Sequence, residues 1–498
     1  MRTVVSVAAL ALAASLAAGA ARAETSGLQL IRSKSHFGSP NPATGRLHDL
    51  RRLGMLIFST PLTKADGHGD GPFDPAKGPN FLPGNRPTLQ GNGTILRVNG
   101  LDAQSCNECH TIVKNTTQPP TLGIAGVGGM VQDAIIMPSL IDVADSFETR
   151  MVYVSGHDPD LTMVTDGVAD FNGRLANPPF LFGGGGIEML AKEMTQDLQA
   201  LLAQARHAPA GTVTSLDTHG TNYGYLVSAG GGNVDMSHVQ GVGPEHMDSV
   251  TPEEALVVRP FGRKGDNFSM RDFDRGAMLF HFGMQPVEVV GENVDADGDG
   301  VVNEVTVDEM SFLHIFDVTN PVPHVDGMDS SAQAGFQTFQ SIGCANCHKP
   351  VLKTRSHLLP LATPEVATNP TANVYRRIDL INVGFRAVPG EDGVFVPCFA
   401  DLKRHDMGPR LAESFESDRR GNSNSVFTTA RLWGIADTAP YLHDGRATSL
   451  TEAIDFHGGE AQAARDAFMA LSQSQKDNLL HFLGKLRTPD HPNQELLQ

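Results

Sequence analysis

Two segments of this chain repeat one arrangement of reactive side chains: Cys106-Asn107-Glu108-Cys109-His110 and Cys344-Ala345-Asn346-Cys347-His348. Two thiols separated by two residues can add to the two vinyl groups of one haem, and the next residue then places its imidazole on the iron. A single C-x-x-C also serves redox exchange or half of a zinc site. Two complete C-x-x-C-H runs, in a chain with 5 Cys in all, point to two covalently bound c-type haems with His110 and His348 as proximal ligands. Cys398 is left without a disulfide partner and reads as a small buried residue.

A second cluster suits a hard cation. Asp295-Ala296-Asp297-Gly298-Asp299-Gly300 sets carboxylates at alternate positions and glycine at the sixth, as at the start of an EF-hand loop. Position twelve is Thr306 rather than Glu, and the nearest acids are Glu304, Asp308 and Glu309. The expectation is calcium on Asp295, Asp297 and Asp299 in a loop of altered geometry, because three such carboxylates otherwise repel.

The elements that hold these groups come from a chain of 498 residues, 40% hydrophobic and 19% charged, which excludes wholesale disorder. A formal charge of −18 argues against nucleic acid or an anionic membrane as the main partner. Arg2, the apolar run from Val4 to Ala20 and Ala21-Arg22-Ala23 read as an export signal cleaved after Ala23, which places the protein in the periplasm. No other stretch is long and apolar enough to span a bilayer. The two cysteine motifs lie too far apart for a small two-haem carrier, so each haem is expected in its own domain. The domains expected are a signal peptide at 1–23, an N-terminal haem domain at 24–325 with the acidic loop near 295–309, and a C-terminal cytochrome c-like domain at 326–498.

Apolar spacing predicts helices near 46–58, 187–205, 269–282, 332–342, 450–457 and 474–487, with Leu190, Met194, Leu198, Leu201 and Leu202 marking one face of the second. The Gly-, Thr- and Ser-rich stretch 208–250 reads as loops or short strands. The fold class is therefore mainly α: two cytochrome c-like haem domains with long loops and few short strands.

Near the C-terminus, Ala-Pro-Tyr-Leu-His-Asp-Gly (439–445) resembles the bacterial di-haem cytochrome c peroxidase superfamily. The wider match is to its di-haem oxidoreductase branch, whose members carry peroxidase or thiol-oxidoreductase-like labels. Arg-Pro-Phe-Gly-Arg-Lys-Gly (259–265), His-Asp-Met-Gly (405–408) and Gly-Gly-Ile-Glu-Met-Leu (185–190) add to it. Besides peroxidases, the superfamily includes a tryptophylquinone-forming enzyme and rubber-cleaving oxygenases.

The resemblance implies roles for individual residues. Where the peroxidases carry the Met that ligates the second haem, this chain has His457, so the pair His348/His457 is expected, with a lower potential than a His/Met pair. His405 and Met407 are rival ligands. His443 is expected to order its turn, and Arg446 to hold a haem propionate. Glu188, after four glycines, stands where the peroxidases carry a distal acid/base, and it equally suits an ordinary first-turn helix acid. Glu193 reads as a solvated acid. His207, His219, His238 and His246 are available to the first iron. Trp433, the single Trp, either relays electrons between the haems or packs beside the second.

The function expected is a periplasmic di-haem c-type peroxidase-like oxidoreductase. Hydrogen peroxide or another small oxidant would react at the first haem, with electrons from a small redox protein passing through the second. The alternatives are an oxidase or oxygenase acting on an organic or protein substrate, and a non-enzymatic electron carrier.

Overall fold

The computed structural model describes residues 28, 31–32, 40–69, 105–110, 177–243, 250–413 and 423–497, together with the backbone of 135–140 and 171–176. The signal segment 1–23 and His246 lie outside the described residues.

Helix α1 (Leu47–Ser59) brings Leu50, Leu53 and Ile57 onto one buried face. It crosses α4 (Val307–Val318) at Gly54, where a Cβ would lie 2.1 Å from the Phe312 carbonyl oxygen. Helix α2 (Gly184–His207) starts from Gly183 at φ 76 and buries Ile187, Leu190, Met194, Leu198 and Leu202. Against it packs an antiparallel sheet of β3 (Val213–Thr218), β4 (Thr221–Gly230) and β5 (Asn233–Asp235), with Leu216, Tyr223 and Leu226 pointing inward. The backbone of β1 (Ile135–Leu140) and β2 (Phe171–Ala176) forms a separate antiparallel pair. Helix α3 (Met270–Ala277) runs into a π-helical turn, Met278–Phe282.

Beyond α4, helix α5 (Ser330–Ser341) leads to the second cysteine motif. A hairpin of β6 (Leu358–Ala362) and β7 (Val374–Asp379) and a pair of β8 (Arg404–Asp406) and β9 (Val426–Thr428) follow. The chain closes with α6 (Leu450–Phe456), α7 (Gln462–Ala470) and α8 (Gln473–Leu483). Helix α8 crosses α5 at Gly335, where a Cβ would lie 1.9 Å from the Asn478 carbonyl oxygen.

Two apolar cores result. The smaller gathers Ala332, Phe339, Phe399, Phe468, Leu479, Phe482, Leu483 and Leu486 beside Cys344. The larger runs from α1 and α2 through α4 to Leu359, Ile378, Val396, Leu402 and Trp433, and so crosses the position 325/326.

Helices appear at all six predicted places, but few short strands is a wrong description. The described residues hold fourteen strands, and 208–250 carries a sheet whose middle strand spans ten residues. The alternation of buried and exposed residues along Val213–Thr218 explains it: Thr214, Leu216 and Thr218 line the inner face, and two of the three are polar. The last helix also stops earlier than its apolar run. After Gly484, Leu486–Arg487 pairs as a strand with His324–Val325.

Candidate haem centres

Each cysteine motif folds as one tight turn ahead of its histidine: Cys106–Glu108 and Cys344–Asn346 are 3-10 turns. His110 Nδ1 donates to the Pro179 carbonyl at 2.8 Å, and His348 Nδ1 donates to the Phe399 carbonyl at 3.1 Å. An imidazole whose Nδ1 is held by a backbone carbonyl turns Nε2 outward, the orientation that a metal-binding histidine takes. Burial lowers the pKa of both rings to about 4, so both are neutral at neutral pH, as ligation requires.

His457, which ends α6, makes a third bond of this kind: its Nδ1 donates to the Ala453 carbonyl at 2.8 Å. Its ring centre lies 6.4 Å from that of His348. Two imidazoles on opposite faces of one metal, each nitrogen about 2 Å from it, place their ring centres about 6 Å apart. The residues around the second turn therefore fit a haem iron between His348 and His457. The rival His405 is engaged through both ring nitrogens, with Asp401 at 3.0 Å and Glu460 at 2.7 Å. Burial is the largest single influence and opposes its charge, but hydrogen bonds and charge attraction from Asp401 and Cys347 together outweigh it and push its pKa up to about 11.

The first turn is different. Among the described residues, the ring recorded against His110 is that of Phe273 of α3, which offers no ligand atom, with centres 6.4 Å apart. His281, in the π-helical turn, is close enough for its charge to depress His110. Sequence patterning did not single out His281; a π turn that interrupts a helix beside a motif histidine is the structural signal. Of the histidines that it did name, His207 is exposed, His238 stacks on Tyr225 and His219 donates to the Lys353 carbonyl at 2.6 Å.

Glu188 is fully buried on α2 in a closed ion-pair cluster, which speaks against its reading as a distal acid/base. Lys192 Nζ is 2.6 Å from its carboxylate, His314 Nε2 is 3.1 Å away, and the Met270 N–H donates to it at 2.9 Å. Burial alone would raise its pKa; Lys192 and His314 instead hold it well below the usual carboxyl range, a poor proton acceptor. Glu365, Ser269 and the Pro360 carbonyl complete the cluster. The i,i+4 spacing of Glu188 and Lys192 was the signal in the sequence. Glu193 is not solvated either: it is buried and accepts the N–H groups of Arg355 and Ser356 at 2.8 and 3.0 Å.

Next to this cluster lie two more buried acids, Asp274 of α3 and Asp317 of α4. Burial and each other's company push Asp274 well above the carboxyl range, and burial pushes Asp317 up to about 8.

Trp433 sits where the two halves meet. Its ring packs on Gly183, where a Cβ would lie 2.6 Å from it, and Gly434 faces the Phe180 ring. Leu432 N–H donates to the Cys398 carbonyl at 3.2 Å, one residue before the Phe399 that orients His348. The segment 177–183, which carries the Pro179 carbonyl of His110, is thus pressed against the strip that leads to His348. Asn177 seals the contact by bonding the carbonyls of Pro440, Leu442 and His443. The buried Trp433 Nε1–H has no acceptor among the described residues, a donor that a haem propionate could satisfy.

His443 stacks on Phe427, with ring centres 4.4 Å apart. Arg446 is held by Asp444 and the Arg410 carbonyl. Cys398 is fully buried, and burial pushes its thiol up to about 12, which makes it inert. The aspartates 295, 297 and 299 bring oxygens within 4.8 Å of one another.

Residues 276–486 match the family model described as "Di-haem oxidoreductase, putative peroxidase". This is the family that the sequence motifs resemble, and the match takes in His348 and His457 but not the first cysteine motif. Among solved structures, a hydrazine synthase of Kuenenia stuttgartiensis is 14% identical, covering 60% of this chain and 87% of its own at TM-score 0.24. A MauG-like protein associated with microbial copper homeostasis is 15% identical, covering 61% and 88% at TM-score 0.26. Likenesses at that level carry no argument. No curated protein matches.

Proposed function

We propose that this chain, which matches the di-haem oxidoreductase family over residues 276–486, is a periplasmic c-type peroxidase-like enzyme. Hydrogen peroxide or another small oxidant reacts at the first haem, and a small redox protein supplies electrons through the second. The observation that carries this reading is the difference between the two haem-binding turns. Among the described residues, His348 faces a second imidazole at 6.4 Å, while the ring recorded beside His110 is that of Phe273, which cannot bind iron. The reaction site is then on the His110 side.

Haem bound there supplies the redox change: one peroxide becomes two waters on taking up two electrons and two protons. The chain's own part is to hold and to pack. Pro179 and Phe399 fix the tautomers of His110 and His348 through their carbonyls. Gly183 packs on Trp433 and Gly434 on Phe180 between the two turns, where electrons passing from one haem to the other would cross. Glu188 stays ionised in its cluster and does not move protons. Among the described residues, His281 is a titratable group whose charge reaches His110.

The proximity of His281 also favours a second reading, an electron carrier in which both irons have two imidazoles. One set of spectra separates the two. The enzyme predicts a high-spin ferric component in the pure protein, in at least one redox state, that changes on adding peroxide. Two low-spin haems that ignore peroxide in every redox state contradict it. An intact mass exceeding the chain from Glu24 by two haems tests covalent attachment and signal cleavage together.

A further inference from the structure

The strip 430–433 runs from the support of His348 to the seam, and its side chains alternate. Leu432 packs on the small core beside Cys344, while Trp433 belongs to the large core. Arg431 turns the same way as Trp433: its guanidinium lies over the ring of Phe261, a large-core residue, 6.0 Å from the ring centre. The backbone ties the strip to the second haem-binding turn. The Leu432 N–H donates to the Cys398 carbonyl at 3.2 Å, and the next carbonyl, that of Phe399, accepts His348 Nδ1 at 3.1 Å.

Arg431 is half-buried, and among the described residues no carboxylate or carbonyl accepts its N–H groups. The other arginines around this strip and α6 are engaged. Arg446, the residue expected to hold a propionate, is paired with Asp444, Arg410 with Asp455 and Arg263 with Glu413. Burial lowers the pKa of Arg431, and the group that opposes this is Cys398, whose thiol burial keeps neutral. A cation that has lost part of its water and gained no counter-charge is costly, and a ring face offsets only part of that cost. Two residues on, Trp433 is 2% exposed, and its buried Nε1–H has no acceptor among the described residues.

A guanidinium and an indole N–H on one side of a strip, both without an acceptor, suit a single carboxylate. A haem between His348 and His457 brings such groups, because its propionates need a cation where the ring leaves the apolar core. We infer that Arg431 and Trp433 together hold a propionate of the second haem, in the place expected of Arg446. This rests on haem being bound at the second turn and not on what reacts at the first. Arg431 is then a positioning residue. It fixes the haem against the seam, and its charge offsets that of the propionate.

The test uses the full holoprotein, with haem counted by pyridine haemochrome absorbance. The second haem is titrated with redox mediators while its low-spin ferric signal is followed by electron paramagnetic resonance. At the solution potential that half-reduces it in the wild type, Arg431→Gln should lower the ferrous-to-ferric ratio about fivefold or more, because the propionate charge is no longer offset. The potential of Arg431→Gln should also fall more steeply between about pH 5 and 7, since a carboxylate without its cation takes up a proton more readily. Arg431→Lys, which keeps the charge, should restore most of the ratio. Trp433→Phe changes no charge, so a lower ratio there reports the lost N–H donor. An unchanged ratio and pH slope in fully loaded Arg431→Gln overturns the inference, as does a larger fall in Arg446→Gln. If Arg431→Gln does not mature, Trp433→Phe decides, and wild-type values there overturn the inference. A wild type without haem at the second motif overturns the haem reading, and this inference with it.

Discussion

At the scale of single residues, the haem-binding side chains were legible because covalent chemistry fixes their spacing. The two C-x-x-C-H runs needed no structure, and His457 followed from the resemblance. What the sequence could not supply is which ring nitrogen each histidine offers, since that depends on carbonyls at Pro179 and Phe399, both far away along the chain. The two readings of Glu188 stayed open in the sequence for a related reason. Its partners Lys192, His314 and Met270 come from three helices, and only their assembly turns a candidate acid/base into a held anion. The acids Asp274 and Asp317 make the residue-scale prediction. Burial raises both above the ordinary carboxyl value of about 4, so the fold prefers the pair protonated. The stability this contributes is complete in acid, below the unfolded-state value, and is lost as pH rises through the folded value of about 8 for Asp317. Asp317→Asn should therefore be nearly silent in buffer at or below about pH 4 and melt increasingly above the wild type, by a few degrees, as the pH rises toward alkaline. Parallel melting curves for the two proteins across that range would contradict it.

At the scale of elements, helices with one apolar face were found and those without one were missed. Helix α4 is buried all round, from Glu309 to Val318, so its sequence has no polar stripe to mark a period. Strands β3 and β4 lie where loops or short strands were expected; their extent was hard to read because their inner faces include Thr214, Thr218 and Ser228, which pattern reading counts as solvent-facing. The two tightest crossings depend on glycines whose role is visible only when partners meet. Gly54 lies on the Phe312 carbonyl and Gly335 on that of Asn478. Alanine at either would push two helix backbones apart, a cost of about 1–3 kcal/mol or more. Chemical denaturation of Gly54→Ala and Gly335→Ala should show both destabilised, the first through the large core and the second through the small one. Wild-type stability in either would mean that these crossings are looser than described.

At the scale of the whole molecule, the chain is organised around asymmetry between two similar turns. Segment 177–183 and the strip from Cys398 to Trp433 press the first histidine's support against the second's, with Trp433 filling the seam. The larger core runs through that seam beside the first turn, while the second turn's Cys344 packs on the smaller core. Spacing alone could not foresee this, because the contacts join segments hundreds of residues apart. The account rests on the second iron being closed by two imidazoles and the first left for reaction. His457→Ala, measured in the holoprotein by electron paramagnetic resonance of the ferric state, tests that most directly. A new high-spin signal from the second haem, with His457→Met remaining low-spin at a higher potential, is the predicted result. An unchanged low-spin spectrum in His457→Ala would contradict the ligand assignment and, with it, the division of roles between the two haems.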